Sequence, residues 1–149
     1  MDCSVIVFTP HSVRMGIVEE LLHDISSMVE YKIVLRKKTS LTIADIEVMY
    51  PRLVKTSFFP RIIECLTGGE AECVLVIADK IHEKINAVKG KFSYSEGKAS
   101  ATGLRAKFQK DECSFEFVFH STDSNNESSE ICMRLFGEKY VVAITTSVK

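Results

Sequence analysis

No apolar run in this 149-residue sequence reaches the roughly 18 residues that a membrane-spanning helix needs, so no such helix is expected. The opening MDCSVIVFTP lacks a basic region followed by a long apolar stretch and does not read as a secretion signal. No C-x-x-C occurs: Cys3, Cys65, Cys73, Cys113 and Cys132 are odd in number and scattered. They read as buried free thiols of a reducing, cytoplasmic protein rather than as disulfides or zinc ligands. Charge of one sign is also lacking. The formal net charge is -1, which gives no general pull toward nucleic acid or anionic membrane, so any phosphate site must be local. There is no G-x-x-x-x-G-K-[ST] and no strand-linked G-x-G-x-x-G, which disfavours a P-loop or dinucleotide site. The absence of H-E-x-x-H, H-x-x-E-H and Cys/His clusters disfavours zinc. No internal repeat or low-complexity linker interrupts the chain.

What remains is a chain of the right length for one domain, residues 1–149, able to bury a full core. Its 46% hydrophobic content argues against disorder. Ser4 to Phe8 and Tyr31 to Lys37 read as strands, and the wholly apolar Cys73 to Ala78 as a central one. Ile17, Val18, Leu21, Leu22, Ile25 and Met28 form the stripe of an amphipathic helix. Thr42 with Asp45 opens a helix to about Tyr50, and a shorter one runs from Phe58 to Leu66, stopped by Gly68-Gly69. Asp79 is placed to cap a helix from Lys80 to Val88. Lys89 to Thr102 reads as a long surface loop. Ser114 to His120 is a strand, and Ser124 with Glu127 opens a helix to Phe136. The tail after Phe136 reads as an extended arm, packed on a neighbour or on its own core. Four strands with interleaved helices suggest an α+β, ferredoxin-like βαββαβ sandwich with helices on one face of a four-stranded sheet. Periodicity does not separate it from a small doubly wound α/β fold.

His120 is the most informative single residue. Alternation along SFEFVFH places Phe115, Phe117 and Phe119 on one face and Glu116, Val118 and His120 on the other. The histidine ends the strand and faces Ser121, Thr122, Asp123 and Ser124, surroundings suited to nucleophilic or acid–base work. By itself it reads more readily as a surface histidine at a strand–turn junction. His11 follows Pro10 near a helix start; His23 and His82 lie on predicted helices and read as solvated. Arg105, after Thr102-Gly103-Leu104, can offer a bidentate guanidinium to a phosphate. Phe58-Phe59 is ordinarily core, but one exposed ring there can stack on a base.

Taken in order, these pieces resemble the nucleoside diphosphate kinase family from the first strand to about Phe136. Thr9-Pro10-His11-Ser12-Val13 stands where the family has its Lys-Pro-Asp opening, with Gly16, Ile17, Val18 and Glu20 in the family's spacing. Tyr50, Phe58-Phe59, Ile62 and Gly68 match single positions. Gly103 to Phe108 is similar to Thr-Ile-Arg-Gly-Asp-Phe, and His120-Ser121-Thr122-Asp123-Ser124 looks like His-Gly-Ser-Asp-Ser. The resemblance implies a ping-pong exchange in which His120 carries the γ-phosphate between nucleoside tri- and diphosphates. It implies that Thr122 and Glu130 orient His120, that Tyr50 supports the phosphate end and that Arg105 contacts the phosphates. Phe58 and Ile62 would sandwich the base, and Asp123 would reach Mg2+, brought by the nucleotide, through water. A homo-oligomer is implied too.

The departures concentrate on charge. The family's lysine is Thr9, its arginine before the paired phenylalanines is Thr56, and its phosphate arginine after the third strand falls near Asn86. Its sugar-contacting asparagine is Phe117. Lost donors of this kind commonly cost on the order of a hundred- to a thousandfold each in rate. Several such losses together abolish useful turnover unless Lys55, Lys89 or Lys91 compensates. Retention of His120, Tyr50, Phe58, Arg105, Thr122 and Glu130 makes a divergent phosphotransferase the leading reading. The alternative is a weak or inactive family member that binds nucleotide or another protein. A ferredoxin-like nucleic-acid-binding domain ranks last, since no basic stripe or aromatic platform supports it.

Overall fold

The computed structural model describes residues 2–90, 92–95, 98–101, 103–107 and 118–147. Strand β1 (Asp2–Phe8) is buried from Cys3 onward, as expected of a run apolar on both faces. Helix α1 (Pro10–Met15) follows at once. Its Thr9 cap accepts the Ser12 N–H, Pro10 occupies the first turn, and Gly16 closes it with a left-handed φ of 68°. Helix α2 (Val18–Met28) buries Val18, Leu21, Leu22 and Ile25, while Met28 is exposed. Strand β2 (Lys32–Thr39) leads to α3 (Ile43–Met49), which carries the expected capping box between Thr42 and Asp45. Helix α4 (Phe59–Thr67) and strand β3 (Ala71–Ala78) complete the middle of the chain.

In α5 (Ile81–Lys89) the cap differs from expectation. Lys80, at φ 54°, precedes the helix, and its N–H is taken by the Asp2 carboxylate rather than by Asp79. The segment expected as a loop contains a hairpin, β4 (Phe92–Ser95) with β5 (Lys98–Ala101), followed by the short α6 (Gly103–Lys107). Backbone pairing can build such a ribbon without a strong apolar pattern. Strand β6 (Phe119–Ser121) precedes α7 (Asn125–Phe136). The expected strand positions Phe115, Glu116 and Phe117 lie outside the described residues. The tail is not an extended arm but helix α8 (Glu138–Ser147). Tyr140 and Ile144, four residues apart, pack on the core, and this side-chain spacing prevails over a β-branched composition.

The main sheet is antiparallel in the order β2-β3-β1-β6. That order, with the split β-α-β connections, is the ferredoxin-like arrangement and excludes the doubly wound competitor. Helices cover both faces, not one. Val5, Val7, Cys73 and Leu75 meet α3, α4 and α7 on one side. Ile6, Phe8, Val74 and Val76 meet α2 and α5 on the other. The uninterrupted apolar runs of β1 and β3 require this, because both alternating faces are hydrophobic. Among the described residues no helix is long and apolar enough to cross a membrane.

Candidate functional site

Strand β6 pairs with β1 so that His120 lies opposite Val7 and Ser121 opposite Ile6. Alternation therefore turns His120 toward the α3–α7 side and Ser121 toward the α2–α5 side. Both are buried, and both line a cleft of about 770 Å3 at the end of the sheet. Tyr50, the residue that ends α3, sets its ring 4.6 Å from the His120 ring, centroid to centroid, tilted by 58°. Asp123 and Glu130 line the same cleft, with Glu127, Arg52 and Lys89.

Lys89 is the last residue of α5, and its side chain is only 11% exposed. Its ammonium donates to Ser121 Oγ at 2.8 Å and pairs with the Asp123 carboxylate at 3.3 Å. Asp123 is held in turn. Its N–H donates to the Glu127 carboxylate, while the Ser124 hydroxyl accepts the Glu127 N–H and caps α7. Glu127 thus neutralises part of the exposed helix start, and does so through Asp123 rather than through the cap residue itself.

Thr122 does not line this cleft. It is buried, and its hydroxyl accepts the Val5 N–H and meets the hydroxyls of Ser4 and Ser128. It therefore ties the turn after His120 to β1 and α7. Ile62, expected against a base, is 3% exposed and belongs to the core beside Met49 and Leu66. Its place on the apolar stripe of α4 decides this, since the same stripe must cover the sheet. Phe58 sits at the start of α4, half-buried against that core. Arg105 lies on α6, but its side chain is outside the described residues, as is Lys91.

Thr9, standing at the family's lysine position, is fully buried. Beyond capping α1, its backbone N–H and its hydroxyl both donate to the Val118 carbonyl, two residues before His120. Ser12 Oγ donates to the same carbonyl at 2.6 Å. The position has become an anchor between α1 and the strand that carries the histidine.

His82 is not solvated as expected. Nδ1 lies 3.1 Å from the Thr122 carbonyl and Nε2 3.1 Å from Asn125 Oδ1, so the ring bridges α5 to the turn after His120. His11 is buried within α1, and His23 is exposed. Arg52 went unnoticed in the sequence because nothing in its local pattern separates it from a surface arginine. Lys89 had a signal: it follows Ile81 and Ile85 at steps of four, on the buried face of its helix.

The model of the nucleoside diphosphate kinase family matches residues 2–141. The chain belongs to that family. Solved structures agree on the fold. The Aquifex aeolicus nucleoside diphosphate kinase is 16% identical, with a TM-score of 0.72 over 91% of this chain and 94% of that one. The Encephalitozoon cuniculi nucleoside diphosphate kinase is 13% identical, with a TM-score of 0.76 over 92% and 90%. No curated protein sequence matches. Family and fold together support a nucleoside diphosphate kinase-like function.

Proposed function

We infer that the chain is a nucleoside diphosphate kinase-like phosphotransferase working through phosphohistidine at His120. The observation that carries this is the shared cleft: His120, Tyr50, Asp123 and Glu130 converge there with the ammonium of Lys89 close by. A lone pair on the neutral imidazole attacks the γ-phosphorus of a nucleoside triphosphate, and an N–P bond forms. The bond from that phosphorus to the bridging oxygen breaks, and its electron pair leaves on the nucleoside diphosphate. A second diphosphate then attacks with a terminal oxygen and takes the phosphoryl group, restoring the imidazole. Tyr50 holds the ring against rotation, and Glu130 supplies a negative wall to orient it. By family resemblance we assign the phosphate contact to Arg105, and Thr122 fixes the turn. Phe58 offers the base a stacking face, with Ile62 supporting it from the core.

Among the described residues no group of three His, Cys, Asp or Glu side chains is arranged to hold a metal. Exposed Asp123 fits a magnesium ion that arrives with the nucleotide and is touched through water. When bound, magnesium neutralises charge on the phosphate oxygens. The functional unit is a single domain, assembled as a homo-oligomer in the cytoplasm.

Incubation with γ-labelled ATP tests the reading. Acid-labile label is expected on the wild type and absent from His120→Ala; an unlabelled wild type, or equal label on both, refutes it. A second reading, a family member that binds without turnover, is favoured by Thr9 and Ile62, one buried as a cap and the other as core. Ordinary turnover with a diphosphate acceptor would remove it.

A further inference from the structure

We propose that Lys89 is a catalytic residue of this chain, supplying at the transferring phosphate the cation that Thr9 does not. The inference rests on the phosphohistidine reading above and goes further, because it names a residue outside the family positions matched in the sequence.

Position 9 cannot serve: its side chain is short, buried and committed to the α1 cap and the Val118 carbonyl. The described side chains lining the cleft carry three carboxylates, Asp123, Glu127 and Glu130, against two cations, Arg52 and Lys89. A polyphosphate entering such a lining meets net repulsion unless a cation stands at the transferring group. Lys89 is built for that place. Ile81 and Ile85 anchor its face of α5 in the core, so its aliphatic stem lies buried and the ammonium emerges at the sheet end. Gly90, at φ 76°, ends the helix right after it. Gly103, which opens α6, abuts that glycine so closely that a Cβ on it would fall 2.6 Å from Gly90 Cα. The helix end is therefore held in position.

Two partners of the ammonium complete the case. Ser121 Oγ directly follows His120 and holds Nζ beside the histidine's strand. The contact to Asp123 is longer, and that carboxylate is 60% exposed. Phosphoryl oxygens exchange for Asp123 on the ammonium while the serine contact stays. Asp123, no longer paired with the ammonium, would be placed to hold a nucleotide-borne magnesium ion through water. The ammonium stabilises the charge on the γ-phosphoryl oxygens as the N–P bond forms and the P–O bond breaks. It gives up no proton in the step.

The test is the single-turnover rate at which γ-labelled ATP labels His120 in wild type, Lys89→Met and Lys89→Arg. Lys89→Met keeps the buried stem and should label on the order of a hundred- to a thousandfold more slowly, with ATP affinity changed less than about tenfold. Lys89→Arg should recover at least about a tenth of the wild-type rate, and added methylammonium should accelerate Lys89→Met but not wild type. Should the methionine variant fail to fold, Lys89→Gln carries the same comparison. Labelling of Lys89→Met within about threefold of wild type overturns the proposal and leaves the phosphohistidine reading standing. A slow variant that neither arginine nor methylammonium rescues makes Lys89 merely structural and also overturns it. A wild type that takes no label removes both.

Discussion

At position 9 a threonine does mechanical work: it caps a helix and ties that helix to the strand of His120. Thr9→Ala should lower the unfolding free energy by about 1 kcal/mol, read as a shift in urea midpoint at unchanged slope. Asp45 offers a test of a different kind. Burial would raise its carboxyl, but the Thr42 N–H and the Arg134 guanidinium outweigh burial and hold it below its ordinary 3.8. A depressed carboxyl stabilises the fold above that value and loses the contribution as the pH falls through it. Asp45→Asn should therefore be less stable than wild type at neutral pH, and the gap should close as the pH drops from roughly 4 toward 2. Parallel denaturant titrations across that range check it. At this scale the sequence was informative where chemistry is local. His120, Tyr50, Asp123 and Glu130, each marked by a short motif, line one cleft. Ile62 lies in the core beside Met49 and Leu66, a placement that the motif does not state.

Elements were legible where a cap or an apolar stripe marks them. The Thr42–Asp45 box and the Val18–Leu21–Leu22–Ile25 stripe both formed as expected. The tail and the hairpin were not legible, because their structure depends on partners distant in sequence. Helix α8 forms where Tyr140 and Ile144 find the core, and Tyr140 also meets the Ser129 hydroxyl on α7. The junction of α5 with α6 is likewise a matter of close approach. Gly103→Ala would place its Cβ against the Gly90 backbone at a left-handed φ of 62°. It should cost on the order of 1–3 kcal/mol. It should also slow His120 labelling more than Thr9→Ala does, since it displaces Lys89. Stability and labelling rate measured on both variants decide the matter.

For the whole molecule, the apolar runs of β1 and β3 dictated a sheet covered on both sides, although periodicity could not reveal how the strands pair. Leu75, fully buried in β3, sits in the layer beneath α3, α4 and α7. Leu75→Ala should destabilise by about 2–5 kcal/mol through the cavity it leaves. Labelling of His120 should persist at temperatures where the variant remains folded, a comparison that circular dichroism and label incorporation make together. The cleft draws on both layers: Tyr50 and Glu130 come from one side of the sheet, Lys89 from the other. Its geometry is therefore a property of the packed sandwich rather than of any segment.

The anchored threonine at position 9 also makes the order of substitutions matter. Restoring a lysine there removes a cap and brings a second ammonium toward a cleft where one is already seated. Thr9→Lys alone should therefore impair labelling of His120. Combined with Lys89→Met it should label faster than Lys89→Met alone, so the effect of Thr9→Lys changes sign with the residue at position 89. The cap before α1 and the end of α5 would then behave as one electrostatic choice.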